Sequence, residues 1–151
     1  MRRFPAALLL VLALAGCGGS GGRDTPEFAY LTDVRVDGTS VRFDFKSRPQ
    51  LVSMGYVQAA QLRECGSGKP VELQGSVFVV VRFQPAATAE IHGEKVVPTY
   101  PGPNRLSGTG PVLEAAKTCD FEADLGWALG LEQKLPLQLV RDGSSVTVSV
   151  G

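Results

Sequence analysis

Apolar and polar residues alternate with a period of two over much of the chain. In residues 41–46, Val41, Phe43 and Phe45 fall on one side and Arg42, Asp44 and Lys46 on the other, as in an extended strand with one buried face. Residues 29–36 (AYLTDVRV) repeat the alternation, and Asp37-Gly38 between the runs is a tight-turn signal. The two runs therefore predict a β-hairpin. Val52, Met54 and Tyr56 alternate next, while Ala59, Ala60 and Leu62 fit a short helix before Gly66-Ser67-Gly68 breaks the chain.

Residues 71–74 (VELQ) and 76–83 (SVFVVVRF) predict further strands, the second apolar enough for the centre of a sheet. Residues 112–121 and 122–131 continue the pattern, followed by 135–140, an Asp142-Gly143 turn and a final strand at 146–150. Between them, residues 98–111 (PTYPGPNRLSGTGP) hold four prolines and three glycines, which rules out a helix or a central strand and predicts one long loop. No stretch of 12 or more residues has a strong helical period. About eight short strands with turn signals every 8–12 residues predict an all-β fold, a single β-sandwich, with a small barrel as the alternative.

The amino terminus departs from this pattern. Arg2 and Arg3 precede an uncharged apolar run at residues 6–16. The run is too short to span a bilayer, which takes about 20 residues, and fits the centre of a secretory signal. It ends in Leu14-Ala15-Gly16-Cys17, which resembles the bacterial lipobox: small residues for the peptidase, then a thiol for the diacylglyceryl donor. The expectation is a signal peptide at 1–16, an acylated Cys17 (palmitate-type chains), a Gly/Ser tether over 17–26, and a domain at 27–151. The protein would then be anchored by lipid on the extracytoplasmic face of a cell membrane. Without Arg2 and Arg3 the mature chain has 13 basic against 15 acidic side chains. That balance excludes a basic nucleic-acid footprint and a strong polybasic membrane patch.

With Cys17 acylated, Cys65 and Cys119 remain as an even pair in an exported chain, which predicts a disulfide. Only His92 could join them in a soft-ligand site and C-x-x-C is absent, so no metal or other cofactor is expected.

Three stretches resemble the AMIN-like domain of bacterial lipoproteins and exported proteins. They are residues 31–45 (LTDVRVDGTSVRFDF), residues 69–83 with Pro85-Ala86, and the closing block 119–150. The closing block contains Asp120, Phe121 and Glu122, then Trp127, Gly130-Leu131 and a Val-rich end from Val146 to Val150. Ser40 stands where the family's second strand usually opens with arginine, after a shorter turn. The resemblance implies a β-sandwich that is not an enzyme, and AMIN domains proper recognise cell-wall glycan or peptidoglycan.

The chemistry-bearing residues agree with a non-catalytic reading. His92 has no catalytic neighbour, no serine lies in G-x-S-x-G, and Gly108-Thr109-Gly110 precedes no helix. Glu122 and Asp124, two apart, would share a strand face, and Glu90 and Glu94 are a second carboxylate pair; a solvated acidic face is the plainer reading. Trp127, in step with Leu125, Leu129 and Leu131, fits a core position, or alternatively a sugar-stacking platform. In the 98–111 loop, Tyr100, Asn104 and Arg105 offer an aromatic face, an amide and a guanidinium. The expected ligand class is cell-wall material. An accessory protein bound to another envelope protein and a small-molecule carrier are the alternatives.

Overall fold

The computed structural model describes residues 25–151, so the expected signal peptide, Cys17 and most of the tether lie outside the described residues. The strands, in order, are β1 (Ala29–Asp37), β2 (Ser40–Phe45), β3 (Leu51–Val57), β4 (Val77–Phe83), β5 (Ala86–Ala87) and β6 (Ala89–His92). They continue as β7 (Lys95–Pro98), β8 (Arg105–Ser107), β9 (Val112–Phe121), β10 (Asp124–Leu131), β11 (Leu137–Asp142) and β12 (Ser145–Val150). One sheet runs β11-β12-β2-β1-β5, the other β3-β4-β10-β9-β8, and β6 with β7 makes a separate ribbon. Two distinct sheets facing one core make a sandwich rather than a closed barrel.

The β1–β2 hairpin forms as expected, with its turn one residue later. Asp37 pairs with Ser40, so Gly38 and Thr39 make the loop, and Gly38 takes the positive φ of 38°. The β11–β12 hairpin turns in the same way at Gly143, φ 56°. Val41, Phe43 and Phe45 point inward as their alternation demands, and so do Val146, Val148 and Val150. Phe43 meets Phe83 of the opposite sheet at 5.3 Å and 62°, and Phe45 meets the same ring at 4.9 Å. These edge-to-face contacts close the sandwich, and each buried large side chain stabilises it by about 1.5–3 kcal/mol.

Strand β10 is buried on both faces. Leu125, Trp127, Leu129 and Leu131 fill the core, while Gly126, Ala128 and Gly130 lie under the segment 58–76, which crosses the outer face of the sheet. A Cβ on Gly130 would fall 1.8 Å from the Gln74 carbonyl oxygen, so only glycine fits beneath that crossing. The one-turn 3-10 helix Ala59–Gln61 opens the crossing, as the sequence suggested. The Cys65–Cys119 disulfide fastens it to β9, tying residues 54 apart.

Two expectations need correction. Residues 71–74 are not a strand: apart from a single bridge between Arg63 and Pro70, this stretch is extended chain lying over the sheet. Val71 and Leu73 are half-buried and Glu72 and Gln74 exposed. Alternation reports half-burial of an extended segment, whether or not it joins a ladder. The described residues also hold twelve strands rather than about eight, because β5 to β8 are too short to leave a periodic signature. Both sheets, the core and the disulfide lie within residues 29–150, a unit with its own hydrophobic core.

Candidate functional site

The residues singled out in the 98–111 loop separate in space. Tyr100 is only 7% exposed, and its ring stands edge-on to Trp127 at 5.9 Å and 83°. Its hydroxyl donates to the Pro103 carbonyl at 2.8 Å. Burial first, and the charge of Asp33 second, push the phenol above its usual range and keep it a donor. The expectation of an exposed stacking face at Tyr100 is therefore corrected, since a ring covered by its own loop has no free face for a sugar. Trp127 is fully buried between Tyr100 and Phe43, in the core position its period-two neighbours imply, so the platform alternative for it falls too. Its indole N–H has no hydrogen-bond partner among the described residues, at a cost of about 1–3 kcal/mol.

Arg105 lies on β8, so the loop is not structureless throughout, and its Nη1 donates to Glu114 at 2.8 Å. Glu114 also accepts the Gln74 backbone N–H, which makes the Arg105 pair part of the packing over the outer sheet. Asn104 alone reaches a concave surface. Its carbonyl accepts the Lys117 backbone N–H at 2.9 Å, and the residue lines a concavity of about 320 Å³ with Glu64, Lys117, Asp120 and Phe121.

Asp120 organises this surface. Its carboxylate accepts the Thr88 hydroxyl, the Thr88 N–H at 3.3 Å and the Lys117 ammonium at 3.1 Å. With Thr88 buried and Lys117 largely covered, the cluster is a pre-ordered set of polar groups. Asp120 and Phe121 also border a second concavity of about 380 Å³, lined by Phe28, Tyr30, Ala89 and Ile91. There the Phe28 and Tyr30 rings lie 4.8 Å apart at 31°, and Phe121 is 57% exposed. An aromatic surface and a polar cluster thus meet along the edge formed by Asp120 and Phe121.

The turn that creates this edge was not legible in the sequence. Glu122 and Ala123 both have positive φ, 49° and 65°, and form the two-residue turn between β9 and β10. Such a turn normally takes glycine or asparagine, and each side chain held this way costs roughly 1–2 kcal/mol. The Ala123 carbonyl accepts the Ala86 N–H, which fastens β5 and the chain beyond it to the turn. The paired-carboxylate expectation is corrected by the same turn. Glu122 sits in it, while Asp124 lies on β10, gripped by Arg82 and bordering a different concavity. Glu90, the other candidate acid, is bonded to Lys46 and to His92, and His92 is solvated.

A family model of the AMIN-like domain matches residues 29–150, from the first residue of β1 to the last of β12. The chain belongs to the AMIN-like family. No curated protein and no solved structure matched the chain. AMIN-like domains are associated with peptidoglycan-related envelope proteins and are non-catalytic binding or targeting modules. In this AMIN-like domain the groups that border the two concavities are the exposed rings of Phe28 and Phe121, the half-buried ring of Tyr30, and the cluster of Asn104, Asp120 and the largely covered Lys117. Exposed Phe28 and Phe121 carry no heteroatom and so belong to no motif that marks chemistry. Three aromatic residues within four positions of a predicted strand end or turn were the available signal.

Proposed function

We propose that this chain is a lipid-anchored envelope protein, acylated at Cys17 on the extracytoplasmic face of a bacterial membrane, whose AMIN-like sandwich binds cell-wall glycan without catalysis. The observation that carries the binding part is the junction of an aromatic surface with a pre-ordered polar cluster at Asp120 and Phe121. Sugar rings present apolar C–H faces and hydroxyl edges, so they need flat apolar groups beside directional donors and acceptors. Phe28, Tyr30 and Phe121 supply the first. Asn104, the third N–H of Lys117 and the outer lone pairs of Asp120 supply the second. Few groups converge, so an affinity of roughly micromolar to millimolar is expected.

A pull-down on purified sacculi tests the site. Phe28→Ala with Phe121→Ala should abolish retention while leaving the melting temperature nearly unchanged, because both rings are exposed. Retention equal to the unaltered protein sinks the glycan site. Metabolic labelling with a fatty-acid analogue tests the anchor, and absence of label together with soluble fractionation sinks that part.

A second reading, an envelope-protein partner, is favoured by the β6–β7 ribbon, where Ile91 and Val96 are 75% and 68% exposed. Such apolar exposure is more usual at protein contacts than on bare surface. A parallel pull-down from membrane extract, compared with Val96→Ser, whose side chain lies outside the aromatic concavity, separates the two.

A further inference from the structure

Seven arginines fall among the described residues, and five of them are engaged. Arg35 bonds Asp33, Arg42 bonds Asp44, Arg82 bonds Asp124, Arg105 bonds Glu114, and Arg63 donates to the Gly68 carbonyl. Arg48 and Arg141 make no side-chain hydrogen bond or ion pair among the described residues, and both are exposed. They come from distant parts of the chain, the β2–β3 connection and edge strand β11, yet they line one concavity of about 480 Å³. Its apolar wall is Pro26, Pro49 and Leu51, its neutral polar group is Gln50, and its one carboxylate is Glu27.

We infer that this concavity is a binding site for an anionic phospholipid headgroup, with Arg48 and Arg141 pairing to the phosphate oxygens and Pro26 and Leu51 meeting the glycerol and first acyl carbons. Guanidinium groups match phosphate oxygens in a two-pronged geometry, and two of them outnumber the single Glu27. Where the chain leaves the described structure selects lipid over a soluble anion. Thr25 also borders the concavity and stands eight residues after Cys17, a span of at most about 29 Å. This part of the inference rests on the anchoring reading above. With Cys17 held in the membrane, the arginine pair stays within that reach of the headgroups, at high effective concentration. Weak headgroup contacts then fix the orientation of the domain and turn it from a loosely tethered body into one docked by a defined face.

The test uses residues 18–151 exported without lipid, so that no acyl chain contributes. Sedimentation with phosphatidylcholine vesicles is compared with sedimentation on vesicles that also contain phosphatidylglycerol, at low and at raised salt. The protein should partition onto the anionic vesicles alone and be released by salt, since exposed charges are screened within about 8–10 Å. Arg48→Gln with Arg141→Gln should weaken that partition by on the order of twenty-five-fold, about five-fold for each arginine near the surface, with an unchanged melting temperature. Equal partition of the double variant, or equal binding to neutral vesicles, overturns the inference. So does an outcome in which inorganic phosphate protects the unaltered protein against heat but not the double variant, while no vesicle binds: the site would then take a free anion. Because Cys17 is absent from this assay, its failure is distinct from failure of the anchor, which fatty-acid labelling reads separately.

Discussion

Removing the Tyr100 ring is the sharpest test of how the long proline-rich segment is held. The ring is buried, stands edge-on to Trp127 at 5.9 Å, and lies so close beneath Gly102 that a Cβ there would sit 2.5 Å from it. Truncating a buried aromatic to alanine costs about 3–5 kcal/mol. For a domain of this length each kcal/mol moves the midpoint by about 3–5 °C, so Tyr100→Ala should lower the melting temperature by about 10–20 °C. Tyr100→Phe keeps the packing and loses only the bond to Pro103, worth about 1 kcal/mol, so its midpoint should fall by about 3–5 °C. Gly102→Ala should also destabilise, because the new methyl and the ring compete for one position. Thermal melts followed by near-ultraviolet circular dichroism, with the disulfide oxidised throughout, report these shifts. If Tyr100→Ala melts within about 2 °C of the unaltered protein, the ring does not fill a core cavity and the packing argument fails.

Reducing the Cys65–Cys119 bridge, or replacing both residues with serine, frees a loop of 54-residue separation, which on the chain-entropy account costs about 4 kcal/mol. Limited proteolysis should then cut first within residues 58–76, and an unchanged melt with unchanged protection would refute the clamp. A pH effect is expected at Asp44. Burial by itself raises its carboxyl, but hydrogen bonds from Ser145 and Arg42, with the charges of Arg42 and Arg35, outweigh that and leave it below the ordinary value. A folded pKa below the unfolded one, about 3.9, means stability that is fully present at neutral pH and is lost as pH falls through the lowered value. Asp44→Asn should therefore be less stable than the unaltered protein at pH 7, and the gap should narrow below about pH 4; a gap that widens on acidification would contradict the arrangement.

Most of the sandwich was written in local pattern. The inward series Val41, Phe43, Phe45 and Val146, Val148, Val150 follows from alternation alone, because a strand with one face in water must repeat every second residue. The Asp37-Gly38 and Asp142-Gly143 turns marked both hairpins to within a residue, since only glycine enters the required backbone region without strain. The Cys65–Cys119 pair followed from the parity left once the lipobox-like Cys17 is set aside. The alternation of large and small residues through Leu125 to Leu131 was also visible, although it did not say what would cover the small ones.

Tertiary structure decided the rest. Residues 71–74 alternate like a strand, but whether an extended segment pairs in a ladder or lies across one depends on what stands beside it. Tyr100 and Asn104 are four residues apart in the same loop, yet the loop folds one into the core and leaves the other on the surface. Burial of a loop side chain is set by chain far away in sequence, here Trp127. The Glu122-Ala123 turn runs against local preference and is held by the β9–β10 ladder and by Ala86, neither of which a local reading can weigh. Phe28, Tyr30 and Phe121 come together only because β1, β5 and that turn meet at one end of the sandwich. Arg48 and Arg141, 93 positions apart, share a concavity for the same reason. Period, turn chemistry and cysteine parity are local properties and can be read along the chain; a surface assembled from distant strands exists only once the sheets have packed.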